Sequence, residues 1–153
     1  MEKIITINNL SIAFNKYAEV VKNVNIDVVK GKTTAIVGES GSGKTLSALS
    51  ILKLLPNGAN IKTGEIKYNN KNLLNLSQKE IQNIRGNKIS TIFQEPMTSL
   101  NPLHTINKQI EEIILTHQNI SNTEAKKKTI ELLNEVGLEN ISKRPKIYSY
   151  ELS

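Results

Sequence analysis

The sequence of 153 residues has no cysteine and no tryptophan, and aromatic residues make up only 4% of it. Without cysteine there is no disulfide framework, no thiolate chemistry and no cysteine-ligated metal. The two histidines, His104 and His117, fit no catalytic motif and share no metal-ligand spacing with carboxylates, so both read as surface or packing residues. No apolar run is long enough to span a bilayer. The first residues, Met1-Glu2-Lys3-Ile4-Ile5-Thr6-Ile7, lack the apolar core of a secretory signal. The chain is therefore expected to face the cytoplasm, with docking on a membrane protein left open. The net charge is +6, but the basic residues are scattered. The tight run Lys126-Lys127-Lys128 falls on a predicted helix and reads as a solvated face more than as a nucleic-acid or lipid patch. The heavy use of Asn, Lys and Ile reads as compositional bias. The length suffices for one domain with a core.

Against these absences stands one dense motif, Gly38-Glu39-Ser40-Gly41-Ser42-Gly43-Lys44-Thr45. It satisfies the phosphate-loop pattern G-x-x-x-x-G-K-[ST] at every fixed position. Residues 33–37 (TTAIV) read as the feeding strand. Residues 45–55 read as a helix, with Leu46, Leu49, Ile51, Leu52 and Leu55 near helical spacing. The glycines let the backbone curl and approach a ligand closely. Inward N–H groups form an anion nest, reinforced by the positive end of the helix. In this chemistry Lys44 reaches the β- and γ-phosphates and the Thr45 hydroxyl ligates Mg²⁺. A glycine turn with no ligand would have no use for Lys-Thr after it.

Taken in order, residues 4–14 and 20–29 read as two strands, the second with Val24, Ile26 and Val28 in period two, and Lys30-Gly31-Lys32 turns into the feeding strand. Two successive strands before the loop predict a small antiparallel sheet beside a nucleotide core. Asn15-Lys16 reads as a turn. Pro56-Asn57-Gly58 stops the helix, residues 63–68 form another strand, and Asn69-Asn70 turns it. Ser77-Gln78-Lys79-Glu80 is a capping box opening a helix to about Arg85, closed by Gly86. Residues 89–93 read as a buried strand delivering Gln94-Glu95-Pro96 at its C-terminal end, where open α/β sheets bind ligands. Ile106, Ile110, Ile113 and Ile114 predict an amphipathic helix. Ser121-Asn122-Thr123-Glu124 caps another, with Leu132, Leu133 and Val136 as its apolar face and Gly137 at its end. Residues 139–153 read as an irregular polar tail.

Three places resemble the ATP-binding subunits of ABC transporters. They are the phosphate loop, the string Ile92-Phe93-Gln94-Glu95-Pro96-Met97-Thr98-Ser99-Leu100-Asn101-Pro102, and Leu132-Leu133-Asn134-Glu135-Val136-Gly137-Leu138 with Tyr148-Ser149-Tyr150-Glu151-Leu152-Ser153. The second string is similar to the glutamine-loop region of the peptide and nickel importer branch, and Leu103-His104-Thr105-Ile106 is similar to peptide and microcin uptake members. The third resembles the approach to the family's signature. The resemblance implies an α/β fold: a P-loop ABC-type core with an N-terminal antiparallel subdomain and the start of a helical subdomain. The corresponding segments would be 1–37, 38–100 and 101–153. It implies ATP and Mg²⁺ as cofactors, bound by Gly38, Glu39, Ser40, Gly41, Ser42, Gly43, Lys44 and Thr45. Gln94 would contact Mg²⁺ or the attacking water and couple to membrane subunits; taken alone, without the residues that follow it, it would read as a polar cap on a strand end. Phe14 matches the aromatic that stacks on adenine, with plain core packing an equal alternative and Tyr17 the next candidate.

The partners so implied are permease subunits, a second ATP-binding domain closing head to tail, and indirectly an extracellular solute-binding protein. Nucleic acid is not expected. The implied location is the cytoplasmic face of the membrane. The Gly-Gly of the signature, the Walker B aspartate, the catalytic glutamate and the switch histidine are not found, and Glu95 is a poor candidate for the base. The sequence accordingly looks like the N-terminal part of such a subunit, expected to bind ATP but not to hydrolyse it alone, and to be marginally stable. A non-catalytic remnant and a soluble ABC-type ATPase acting on nucleic acid or ribosomes are the alternatives.

Overall fold

The computed structural model describes residues 1–15 and 19–152. The turn expected at Lys16, the candidate Tyr17 and the terminal Ser153 lie outside them. The chain divides into two compact units, residues 1–85 and 86–153.

The first unit is built on a four-stranded antiparallel sheet in the order β2-β1-β3-β4, with β1 Lys3–Phe14, β2 Glu19–Val29, β3 Ala59–Tyr68 and β4 Lys71–Asn72. This is the expected antiparallel subdomain, with β3 starting four residues earlier than its apolar pattern. β1 buries Ile5 and Ile7, then Leu10 and Ile12. That change from odd to even positions would flip a regular strand over. A bulge absorbs it: Asn9 takes φ 50°, and both pairings of β1 shift register there. Gly64 on β3 crosses under the bulge, where a Cβ would stand 2.7 Å from Leu10 Cα and 2.8 Å from the Asn9 carbonyl. The Asn69-Asn70 turn has positive φ at both residues (46° and 66°), as a two-residue type I′ hairpin requires, and joins Tyr68 to its partner Lys71.

Helix α1 spans Lys44–Ile51 and contacts β1. It is shorter than the expected 45–55. Lys53 takes φ 52°, the Lys53 N–H bonds to the Ser50 carbonyl (3.1 Å) and the Leu54 N–H to the Leu49 carbonyl (3.0 Å), a Schellman closure without glycine. Arg85 holds it, donating from Nε to the Leu52 carbonyl (2.8 Å) and from Nη2 to that of Lys53 (3.0 Å). Pro56 to Gly58 then turns the chain into β3 instead of stopping the helix. Helix α2, Gln78–Ile84, carries the predicted capping box. The Ser77 N–H and hydroxyl both bond the Glu80 carboxylate, and with Lys71 they pull its pKa down to about 2. Ile7, Leu10, Ile12, Ile66, Leu73 and Ile81 form the buried centre of this unit.

Residues 33–37 and 89–93, expected as strands, are not strands of the sheet. Val37 is 88% exposed and Ile92 92% exposed. An apolar run becomes a central strand only between ladder partners and under covering helices, and no such neighbours are present among the described residues.

In the second unit, α3 Ile106–His117 and α4 Asn122–Glu135 pack together, with α5 Glu139–Ser142 following. Ile106 and Ile114 of α3 are buried, whereas Ile113, counted on the apolar face, is 58% exposed. On α4 the buried positions are Ala125, Thr129 and Leu133, at i, i+4 and i+8. Leu132 and Val136 point outward, so the expected face is rotated. The capping box at Ser121 and Glu124 forms as predicted, and Gly137 closes α4 in a Schellman pattern, with the Leu138 N–H on the Leu133 carbonyl (2.8 Å). The tail is not irregular throughout: Ile141 and Ile147 join Ile106 and Leu133 in a buried cluster, with Leu100, Ile110 and Leu152 against it. Thr105 bridges antiparallel to Tyr148.

Candidate functional site

The glycine loop sits where β2 and α1 meet. Gly43 is the N-cap of α1, at φ 87°, and is buried against β2: a Cβ there would stand 2.6 Å from Val21 Cγ2 and 3.3 Å from the Val20 carbonyl. Only glycine fits both the left-handed backbone and this close approach. The Gly43 carbonyl accepts from the Ser47 N–H (2.9 Å) and from the buried Ser47 hydroxyl (3.0 Å), which fixes the first turn of the helix. The N–H groups of that turn have no acceptor within the helix and form its positive end.

Lys44 folds back over the loop. Its Nζ donates to the carbonyls of Gly38 (2.7 Å) and Glu39 (2.6 Å), with Ser42 Oγ at 3.4 Å. The ammonium group thereby ties the start of the loop to its end. The Ser42 N–H reaches the Glu39 carbonyl at 3.3 Å. Ser40, Gly41, Ser42 and Thr45 are exposed.

Beside the loop lies a concavity of about 260 Å³ lined by Phe14, Val20, Gly41, Ser42, Gly43, Lys44, Thr45 and Leu46. It joins an apolar wall to a set of amides, hydroxyls and one ammonium group. Phe14, from the end of β1, is therefore brought to the glycine loop. Two residues that no motif singles out are also here: Val20 lines the concavity, and Val21 backs Gly43. Their signal is a contact between distant segments, which no local pattern carries. Ser47 had a local signal, since it stands four residues after Gly43 and so within reach of its carbonyl.

Gln94 belongs to the second unit, exposed, just ahead of a 3₁₀ turn at Pro96–Ser99. His104 Nδ1 lies 3.6 Å from the Glu112 carboxylate, and His117 is half-buried.

Residues 21–153 match the family model described as ABC transporter. The chain belongs to the ABC transporter ATP-binding family. It is 46% identical to the peptidoglycan transport ATP-binding protein YejF of Agrobacterium fabrum (strain C58), over 99% of this chain and 29% of that protein. It is 43% identical to the oligopeptide transport ATP-binding protein OppD of Bacillus subtilis (strain 168), over 99% of this chain and 43% of that one. The ABC chain thus spans less than half the length of these relatives. Among solved structures, the dimeric structure of a bacterial ABC transporter cassette is similar with a TM-score of 0.78 and 27% identity, over 97% of this chain and 63% of that one. A post-hydrolysis dimer of an ATP-binding cassette with ADP and phosphate has a TM-score of 0.75 at 24% identity and supports the fold. The ABC-type fold expected from the sequence is therefore found. No helix of the described residues is long and apolar enough to cross a membrane.

Proposed function

We propose that this ABC chain binds Mg-ATP at the glycine loop as the nucleotide-binding part of a peptide importer's ATP-binding subunit. The observation that carries the reading is the composition of the concavity: phosphate-compatible amides and the Lys44 ammonium on one side, Phe14 and Val20 on the other. That donor set fits a polyphosphate joined to a flat aromatic base. Backbone N–H groups of residues 41–45 would hold phosphate oxygens, with Lys44 adding a point charge. The ammonium already lies on the Gly38 and Glu39 carbonyls, and turning toward phosphate would exchange at least one of these bonds for a charge-assisted one.

Thr45 would supply a hydroxyl oxygen to Mg²⁺. Such an ion commonly takes one or two protein ligands and completes its shell with water and phosphate. When bound, Mg²⁺ neutralises phosphate charge. Gln94 would contact that ion or the water beside it, its amide bonding without adding charge. Phe14 would stack on the base. The similarity to peptidoglycan and oligopeptide transport proteins supports import of peptide-like solutes, permease subunits and a second ATP-binding domain as partners, and a place at the cytoplasmic face of the membrane.

The test is calorimetric titration with Mg-ATP of the wild-type chain and Lys44→Ala, each checked by circular dichroism. The expected result is saturable binding by the wild type and loss of at least tenfold in affinity in the variant, with unchanged secondary structure. Equal affinities would remove Lys44 from the site, and no binding by folded wild type would end the reading.

A further inference from the structure

The turn that follows Gln94's segment is held by one side chain that no motif marks. Gln109, in α3, accepts the Asn101 N–H at Oε1 (2.9 Å) and donates from Nε2 to the carbonyls of Asn101 (3.0 Å) and His104 (3.0 Å). A primary amide offers one carbonyl oxygen and two N–H donors, so both of its ends are engaged on one short stretch of backbone. The turn is knit further by its own bonds. Asn101 Oδ1 accepts the Leu103 N–H (2.9 Å), and the His104 N–H reaches the Asn101 carbonyl (3.2 Å). On one side Leu100 packs against the Ile106, Leu133, Ile141 and Ile147 cluster. On the other, the Ile106 N–H bonds the Ile147 carbonyl (2.9 Å), and Thr105 bridges to Tyr148, which ties in the segment leading to Leu152.

We propose that Gln109 is a positioning residue: its amide clasps the far end of the segment carrying Gln94, so that a displacement of Gln94 is delivered to α3 and to residues 147–152. The inference rests on the reading of Gln94 as the residue that senses nucleotide and couples to the permease. Between Gln94 and Asn101 the chain has one short 3₁₀ turn, and Asn101-Pro102 cannot continue a helix, because the proline disfavours helical backbone before it. Without the clasp the turn keeps its own bonds but loses its side-chain hydrogen bonds to α3, and part of the motion is absorbed there. With it, the junction is an extension of α3. A side chain that merely stabilised the turn would affect folding and leave coupling alone. A positioning residue changes the yield of transport per nucleotide consumed.

The experiment uses the complete subunit carrying this chain, assembled with its permease in proteoliposomes, in four forms: wild type, Gln109→Ala, the near-isosteric Gln109→Met, and Gln94→Ala. Hydrogen exchange at the Asn101 amide, the dissociation constant for Mg-ATP, and ATP consumed per solute imported, with a labelled tripeptide as the solute, are measured on each. The clasp predicts that in Gln109→Ala the Asn101 amide exchanges at least tenfold faster and ATP consumed per solute rises at least fivefold, with nucleotide affinity within twofold of wild type. Gln109→Met gives the same result if the alanine variant does not assemble. Unchanged exchange at Asn101, or unchanged ATP per solute in a transporter that Gln94→Ala does uncouple, overturns the role of Gln109 and leaves the reading of Gln94 standing. Wild-type coupling in Gln94→Ala removes that reading, and the proposal falls with it.

Discussion

At Gly43 two constraints meet in one residue: φ of 87°, and a Val21 methyl 2.6 Å from where a Cβ would stand. A left-handed backbone costs a non-glycine residue about 1–2 kcal/mol, and the clash adds to it. Gly43→Ala is expected to destabilise the chain by at least that amount in urea unfolding. Val21→Ala in the same chain should recover the steric share and leave the backbone share. The double variant is therefore expected to be less destabilised than the sum of the two singles, the coupling expected of residues in contact. An additive result would mean that β2 moves aside freely. For Phe14, stacking on a base is worth about 0.5–1.5 kcal/mol. Phe14→Ala should therefore weaken Mg-ATP about two- to tenfold by calorimetry; lost stability with unchanged affinity would favour the plain-core alternative. The loop's composition was legible because a run of eight residues encodes it; the bonds from Lys44 to the Gly38 and Glu39 carbonyls were not foreseen. The proximity of Val21 was not legible, because it comes from a strand placed by long-range pairing, and Phe14 was singled out only through the family resemblance.

Among the elements, both capping boxes, the asparagine hairpin and the Gly137 closure were read correctly, because they are local hydrogen-bond arrangements, whereas the Pro56-Asn57-Gly58 signal leads into β3 and does not end α1. The strands β1, β2 and β3 were legible from their apolar pattern, but other features set by distant partners were not. The end of α1 is the clearest case, since a lysine in the left-handed region has no local signal and Arg85, more than thirty positions on, stabilises it. Bonds from a charged donor are worth about 1.5–3 kcal/mol, so Arg85→Ala is expected to cost at least that much in thermal or urea unfolding. Lys cannot restore the planar two-bond fork, so Arg85→Lys should recover less than half. A silent Arg85→Ala would mean that α1 ends for another reason. The rotated face of α4 has the same origin. Leu132, Leu133 and Val136 are equally apolar in sequence, and only the packing on α3 decides that Leu133 turns inward. Glu80 gives a prediction in pH. Its folded pKa, lowered from 4.5 to about 2, means that its contribution to stability is fully present above about pH 4.5 and is lost as pH falls toward 2. Glu80→Gln should flatten the acid side of the stability curve between these values; an unaltered acid limb in the variant would count against the capping box.

For the molecule as a whole, the decisive feature is apolar surface that the described residues do not cover. Ile36 and Val37 in the first unit, and Ile92 and Phe93 in the second, belong to runs that read as strands, and all four are exposed. The Thr34 hydroxyl bonds the Asp27 carbonyl, but that single contact does not make a ladder. Extended, β-prone, uncharged runs of this kind are the usual route to edge-to-edge association. The net charge of +6 opposes it only weakly at moderate salt, where surface charges more than about 8–10 Å apart are screened. The chain of 153 residues, expressed as such, is therefore expected to self-associate as its concentration rises, and more so as salt is added. Val37→Lys combined with Ile92→Lys should raise the concentration at which light scattering begins several-fold, with far-ultraviolet circular dichroism unchanged, because both side chains already face solvent. A wild-type chain that stays monodisperse at high concentration and salt would show that these runs find partners within the molecule, and the double variant would then lose stability without gaining solubility.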